Sequence, residues 1–145
     1  MQASRASSET STRRPVTQAV LDRHLAAIRA AADQIDRDRE LPTPLVRAMA
    51  EDGLFRQLVP SVYGGAEIPF PDFLDLLKQV GRADGSTGWC VNQGSVWATF
   101  TAMMPEPLAR KVWSDPNTMI ANGPIREASA ETTATGFKLN GRWPF

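Results

Sequence analysis

Residues 41–65 read LPTPLVRAMAEDGLFRQLVPSVYGG, and this stretch decides the fold because it holds both a helix start and a compact turn. Thr43 before Pro44 predicts an N-cap followed by a proline in the first helical turn, where a missing N–H costs little. The helix should end at Gly53, the residue type best suited to a left-handed C-cap. The remainder predicts a turn tucked under the helices, with glycines at 64–65 where a side chain would obstruct the backbone.

Helical patterns flank this stretch on both sides. Apolar residues recur three and four positions apart from about Val16, which predicts a long helix with one buried stripe. A third helix is predicted at residues 70–84, and Ser86 or Thr87 can cap a fourth that is apolar on most of its surface. A short helix opened by Pro-Glu-Pro completes five helices by about Asp115. The predicted buried stripes are Val20, Leu21, Leu25, Ile28, Ala32 and Ile35 in the first helix and Phe73, Leu74, Leu76, Leu77 and Val80 in the third.

The pattern changes to sheet after Pro116. TMIANGP at 118–124 is a short apolar run ended by Gly-Pro, which predicts a strand and its turn. ASAETTATGFKLNGRWPF at 128–145 is rich in threonine and aromatic residues, with two glycine turns, one of them at Asn140-Gly141. So few strands would have exposed edges and an unburied face. We therefore expect this chain to be the amino-terminal part of something longer.

The five predicted helices make the chain mainly α, and its composition indicates no strongly charged partner. Lys+Arg 16 balances Asp+Glu 16, so no net field draws the chain to nucleic acid or anionic lipid. One cysteine and one histidine cannot form an internal disulfide or a structural zinc site, and no apolar run suits a membrane span. These features predict a cytoplasmic protein without metal. We expect a disordered tail at 1–15, a helical domain at 16–115 and the incomplete start of a domain built of strands at 116–145.

The fourth helix carries the most informative chemistry. The sequence holds no Gly-rich phosphate loop, nucleophile elbow or second histidine, so no catalytic residue is assigned. Trp89, Gln93 and Trp97 are spaced four apart, which places two indoles and one amide on one helical face, flanked by Asn92 and Val96. Such a face can form a wall for a flat aromatic ligand or simply pack in a core. Both interpretations stay open at this point.

Two segments near the end of the chain are further candidates. The Gly-Pro break of IANGP at 120–124 exposes backbone groups that can hold a ligand, although an ordinary strand-ending turn explains it as well. NGRWPF at 140–145 is an aromatic strand without a partner in the sequence, so its side chains should face a cofactor or a missing sheet.

Three segments together carry a resemblance to a known family. ADQIDRDRELPTPLVRAMAEDGLFRQLVPSVYGG at 32–65, ADGSTGW at 83–89 and NGRWPF at 140–145 resemble the acyl-CoA dehydrogenase superfamily. The closest likeness is to its flavin-dependent monooxygenase branch, the hydroxylase components related to 4-hydroxyphenylacetate 3-hydroxylase. The resemblance implies the amino-terminal helical domain of that fold, followed by the opening strands of its middle β-barrel domain. A carboxy-terminal helical bundle, which would hold the catalytic residues, would lie outside this chain.

The resemblance also implies an activity, a cofactor and partners. Members of this branch use reduced flavin, FAD or FMN, from a partner reductase and O2 to hydroxylate an aromatic or similar small molecule, and the complete chain would be a homotetramer. Trp89 with Trp97 would lie on the helix that lines the substrate side. The segment alone is expected to be inactive, since it cannot close a dry pocket. The residues implied to approach the flavin are Asn122, Gly123, Pro124, Trp143, Pro144 and Phe145.

Two alternatives remain in view. An acyl-CoA dehydrogenase would use FAD for α,β-dehydrogenation, but those enzymes usually show a Thr-Glu-Pro loop followed by Gly-Ser-Asp. Here the corresponding stretch is Asn122-Gly123-Pro124 followed by IREASAE, which weakens that interpretation. A non-catalytic helical interaction module is the alternative from a different class.

Overall fold

The computed structural model describes residues 14–123 and 127–142. Within those ranges the chain is mainly α, with five α-helices and one antiparallel hairpin, which confirms the predicted fold class. The α-helices are α1 (Gln18–Asp38), α2 (Thr43–Glu51), α3 (Phe70–Ala83), α4 (Gly85–Val96) and α5 (Glu106–Val112), and the strands are β1 (Glu127–Thr133) and β2 (Gly136–Arg142). Short 3-10 turns occur at Leu54–Arg56 and Ser61–Tyr63, and a longer 3-10 segment, Trp97–Met103, continues α4.

Helix α1 forms the side of the bundle on which the main core is built. Thr17 caps it by accepting a hydrogen bond from the Val20 N–H at 3.4 Å, and Arg39 ends it in the left-handed conformation. Its apolar stripe packs against α2 and α3, as the spacing predicts. The buried members of this core are Leu21, Leu25, Ile28, Ile35, Leu45, Met49, Leu54, Phe55, Leu76, Val80 and Val91.

The observed helix starts differ from two sequence predictions. Thr43 was expected to cap α2, but it is the first helical residue, Pro42 holds the cap position and no side chain caps that end. Ser86 or Thr87 was expected to cap α4, but Asp84 does so, because its extended backbone lets Oδ1 accept from the Thr87 N–H at 2.6 Å. The acidic side chain also accepts from the Thr87 hydroxyl at 2.7 Å, which fixes α4 immediately after α3.

Helices α3 and α4 approach closely at two glycines. A Cβ atom on Gly88 would lie 2.9 Å from the Gly81 Cα, so only glycine permits this spacing between the two backbones. Val80 and Val91 are fully buried on either side of the contact. Leu74, which was predicted to share the buried face of α3, is instead 39% exposed, because it lies on the outer edge of the apolar stripe.

A second, smaller core lies under the 3-10 turns. Val59, Ala98 and Trp113 are buried there, and the Trp113 indole donates to the Thr101 hydroxyl at 2.9 Å. Arg56 crosses beside this core with only 3% of its surface exposed, and its guanidinium lies 5.2 Å from the centre of the Trp113 ring. The turn therefore joins the main core to the end of α5.

The segment after α5 is not the strand that its sequence predicts. Within residues 117–123 the chain follows an irregular path without strand pairing. The predicted strand was therefore wrong for this segment, because none of the described residues offers it a neighbouring strand, and a strand needs a partner for its backbone groups. Residues 119–121 instead pass beside α4.

Strands β1 and β2 form a two-stranded antiparallel hairpin that turns at residues 134–135. Asn140 and Gly141 were predicted to form a turn, but they pair within β2 with Ser129 and Ala128. The turn falls before Gly136 instead, since the register pairs Thr133 with Gly136. Every described residue of the hairpin is exposed, including Phe137 at 74%, so both faces lack a packing layer within the described residues.

The pairing of α1 with the end of α2 predicts an acid-sensitive contribution to stability. Asp52 accepts from Arg23 at 2.9 Å and contacts the buried His24 Nε2 at 2.7 Å. The hydrogen bond from Arg23 is the main reason why the pKa of the Asp52 carboxyl lies below its ordinary value of 3.8, and the hydrogen bond with His24 is the second. Because the pKa of Asp52 is lower in the folded than in the unfolded state, its ionised form stabilises the fold at pH values above 3.8. This stabilisation is lost as the pH falls below 3.8 and through the pKa of the folded state.

We expect Asp52→Asn to remove this contribution. The free energy of unfolding in urea should fall by about 0.5 kcal/mol at pH 6 relative to the unaltered chain, because the carboxylate is partly exposed. The difference should shrink at pH 3. Asp33→Asn serves as the control, since the exposed Asp33 has no hydrogen-bond or ion-pair partner in the part of the chain described. An equal loss at both pH values would show that charge at Asp52 plays no part.

Candidate functional site

An apolar pocket of about 340 Å³ lies beside α4. It is bounded by α4 on one side, by the start of α2 and the 3-10 turn at Leu54–Arg56 on another, and by residues 119–121 across the opening. The polar groups of its lining are one amide, one thiol and one indole N–H, and none of the side chains that the described residues contribute is charged. The lining residues are Leu41, Val46, Phe55, Trp89, Cys90, Gln93, Gly94, Met119 and Ala121.

Helix α4 supplies the wall because its residues at four-residue spacing face the pocket together. Trp89 is 56% exposed, so its indole is a pocket surface and not a packed core side chain. Gln93 follows one turn later on the same face. Gly94 lets the opposite side approach, since a Cβ there would lie 3.0 Å from Phe55 Cδ1 and 3.2 Å from Met119 Sδ. The absence of a side chain at this position therefore shapes the pocket.

The other predicted residues of the indole wall lie behind or beside the pocket. Trp97 is half-buried, contacts the Phe100 ring at a tilt of 36° and donates its indole N–H to Gln93 Oε1 at 2.5 Å. It therefore touches the pocket only through Gln93. Asn92 and Val96 are half-buried and do not contribute to the lining.

Cys90 is the only ionisable thiol in the chain, and it is an exposed residue at the edge of the pocket. Partial desolvation, and to a lesser extent the Asp84 carboxylate, raises the pKa of the Cys90 thiol above its ordinary value of 9.0. A protonated thiol is a poor nucleophile, so Cys90 acts here as a small apolar side chain.

The segment predicted to approach a flavin starts where the pocket ends. Ala121 lines the pocket, and Asn122 and Gly123 follow it directly. Among the described residues, no hydrogen bond engages the backbone groups of residues 119–123, so these N–H and C=O groups are available to a ligand. Pro124, Trp143, Pro144 and Phe145 lie outside the described residues.

Sequence reasoning missed the pocket residues that come from elsewhere in the chain. Phe55 was assigned to the turn and Met119 to a strand, and Leu41, Val46 and Cys90 were not assigned to the site. Only Gly94, a glycine inside an apolar helix, gave a signal that another group approaches closely there. No cluster of metal-ligating side chains occurs within the described ranges, and none of the helices described there is long and apolar enough to cross a membrane.

Comparisons with known proteins bear on this geometry. Residues 8–110 match the family model of the acyl-CoA dehydrogenase N-terminal domain. An indole-3-acetate monooxygenase from Pseudomonas putida is 32% identical over 117 residues, which cover 81% of this chain and 30% of that protein. The oxygenase subunit HsaA of a flavin-dependent monooxygenase from Rhodococcus jostii is 27% identical, over 85% of this chain and 32% of the subunit.

A solved structure of a related hydroxylase has the same fold over most of this chain. The crystal structure of 3-HSA hydroxylase from Rhodococcus sp. RHA1 superimposes with a TM-score of 0.81 at 25% identity, covering 89% of this chain and 34% of that one. The chain thus spans about a third of the length of the relatives it matches. The resemblance predicted from its motifs is confirmed, and the chain belongs to the acyl-CoA dehydrogenase N-terminal domain family.

Proposed function

We propose that the chain is part of the oxygenase component of a two-component flavin-dependent monooxygenase that hydroxylates an aromatic or similar small molecule. The observation that carries the proposal is the pocket beside α4, where the described lining has no charged side chain and exposes the Trp89 indole, in a chain that resembles monooxygenases of this kind. The alternative of acyl-CoA dehydrogenation has no comparable support from the pocket.

In this proposal the chain's own residues bind the ring and exclude water. The Trp89 indole offers an exposed face for stacking, and Phe55 with Met119 closes the opposite side. Apolar walls on three sides leave few groups that hold water in place, which favours a dry reaction site. Gln93 is the amide in the lining that can orient a substrate.

The residues that follow Ala121 in the chain are placed to contact the edge of a flavin ring bound beside the pocket. The backbone groups of Asn122 and Gly123 are available, as a cradle for a polar ring edge requires, and neither residue is fully buried. We extend the cofactor contacts to Pro124, Trp143, Pro144 and Phe145 on the family resemblance. Reduced flavin, FAD or FMN supplied by a partner reductase, would provide the reaction with O2. The proposal includes a cytoplasmic location, consistent with a free cysteine, and a homotetramer.

The test supplies the intact protein with FAD, FMN, a flavin reductase, NADH and ¹⁸O2, and offers indole, phenol and acetophenone. The proposal predicts that one ¹⁸O atom enters an aromatic product, as mass spectrometry would show. The opposing outcome is a flavin that acyl-CoA thioesters bleach without oxygen, together with no labelled aromatic product.

Filling the pocket should lower the activity without unfolding the chain. Cys90→Phe adds a ring to a lining position, and we expect kcat/KM for the aromatic substrate to fall about tenfold or more, which corresponds to about 1.4 kcal/mol of lost transition-state stabilisation. Ser86→Phe is the matched control, because Ser86 is exposed one turn earlier on α4 and does not line the pocket. Equal losses in the two variants would place the substrate elsewhere.

A further inference from the structure

We propose that Gln93 holds the substrate by donating a hydrogen bond from its Nε2 group to an uncharged acceptor oxygen on the aromatic ligand, and that Trp97 is the positioning residue that orients this amide. The inference rests on the proposed function for the location of the ligand. It adds the substrate class, an uncharged aromatic carbonyl or hydroxyl compound.

The indole of Trp97 decides which end of the amide is free. Its Nε1–H can only donate, and it lies 2.5 Å from Gln93 Oε1. Of the two ends of a side-chain amide, only the oxygen can accept this bond, so the opposite end presents the NH2 group. The Trp97 ring also contacts the Phe100 ring, with 5.2 Å between the ring centres. The amide is thus fixed in one orientation before any ligand arrives.

The NH2 group of Gln93 is available to a ligand. No described residue accepts a hydrogen bond from it, and Gln93 is half-buried in the pocket lining, so the group is not sealed inside the protein. A polar group at the edge of an apolar pocket contributes selectivity, because a ligand that lacks the matching atom leaves it without a partner. The group selects for an acceptor atom.

The lining contributed by the described residues selects against an ion. None of its nine side chains is cationic, so a carboxylate placed here would find no counter-ion among the described residues. A carbonyl or hydroxyl oxygen requires much less desolvation and still accepts the hydrogen bond from Gln93. The pocket therefore suits the uncharged, oxygen-bearing end of an aromatic molecule.

The experiment measures binding to the whole chain by ¹H–¹⁵N NMR, with the side-chain amide of Gln93 assigned from the signal lost in Gln93→Leu. Three probes are compared: acetophenone, α-methylstyrene, in which CH2 replaces the carbonyl oxygen at nearly the same shape, and phenylacetate. We expect acetophenone to move the Gln93 NH2 signals downfield and α-methylstyrene to leave them almost unmoved. Phenylacetate should bind at least about tenfold more weakly than acetophenone.

The variants separate the donor from the pocket that surrounds it. Gln93→Leu keeps the side chain's bulk, and the preference for acetophenone over α-methylstyrene should fall about threefold to tenfold. Trp97→Phe keeps a ring but removes the N–H that orients the Gln93 amide. In this variant the preference for acetophenone over α-methylstyrene should fall by only about twofold to threefold. An unchanged indole N–H signal of the buried Trp113, which lies outside the pocket, would show that each variant is folded.

Two results would contradict the inference. If Gln93→Leu kept the preference for acetophenone over α-methylstyrene, Gln93 would not be the hydrogen-bond donor. If phenylacetate bound more tightly than acetophenone, the substrate would not belong to the uncharged aromatic compounds. In both cases the pocket itself would still bind aromatic compounds, so the proposed function would survive. If none of the three probes moves the signals of Trp89 or Gln93, the pocket is not an aromatic site and the proposed function fails with the inference.

Discussion

Replacing Gly65 by alanine should lower the free energy of unfolding by at least about 3 kcal/mol. A Cβ at this position would lie 1.8 Å from the carbonyl oxygen of Val59 and 2.5 Å from its Cβ. Val59 is fully buried in the smaller core, so its backbone cannot move without disturbing Trp113 and the turn around it. The clash is with backbone, which has no alternative rotamer to adopt.

The measurement is urea unfolding followed by circular dichroism, with Gly85→Ala as the matched control. A Cβ at Gly85 would meet no atom within 4 Å, so that variant should unfold within about 0.5 kcal/mol of the unaltered chain. Equal stability of the two variants would show that the turn at residues 54–65 does not adopt the described conformation.

Replacing Arg56 by methionine should cost about 3 kcal/mol of stability. The guanidinium donates to the carbonyl oxygens of Tyr63 at 2.7 Å, Asp115 at 3.0 Å and Trp113 at 3.4 Å. These acceptors come from the 3-10 turn and from the end of α5, so Arg56 joins two segments that lie more than fifty residues apart in sequence. Methionine fills the space but leaves the carbonyl oxygens without their donor.

Two further variants test whether the loss in Arg56→Met comes from the missing hydrogen bonds. Arg56→Lys should recover only part of the loss, since one ammonium group cannot reproduce the planar fork that reaches separate acceptors. Arg47→Met should be nearly neutral, because Arg47 is exposed on α2 and contacts no hydrogen-bond partner in the described ranges. Thermal unfolding would rank the variants, and an Arg56→Met chain as stable as Arg47→Met would contradict the bridging role.

The helices could be predicted from sequence because their signals are local. The stripe of α1, the proline at the start of α2 and the glycine pair at 64–65 each act within a few residues. Arg56 and Gln57 were missed because polar side chains are not expected in a core. Their burial follows from partners far along the chain: the carbonyls near Trp113 for Arg56, and the Val16 N–H at 3.3 Å for Gln57.

In the candidate site, too, local features could be predicted from the sequence and tertiary contacts could not. The four-residue spacing placed Trp89 and Gln93 on one face, and the structure brings both to the pocket. The spacing gave no means of telling that Trp97 lies behind Gln93, since helical periodicity defines a face but not what packs against it. Phe55 and Met119 face α4 only through tertiary packing, so their contribution could not be read from local sequence.

Titration of the chain with indole, followed by the indole N–H signals of Trp89 and Trp113, tests most directly whether the α4 pocket binds aromatic ligands. Trp89 is exposed in the pocket, whereas Trp113 is buried and donates to Thr101, so the second tryptophan is an internal control. The account predicts a saturable shift at Trp89 that Cys90→Phe abolishes, with Trp113 unmoved. A Trp89 signal that does not shift, or one that shifts equally with Trp113, would contradict it.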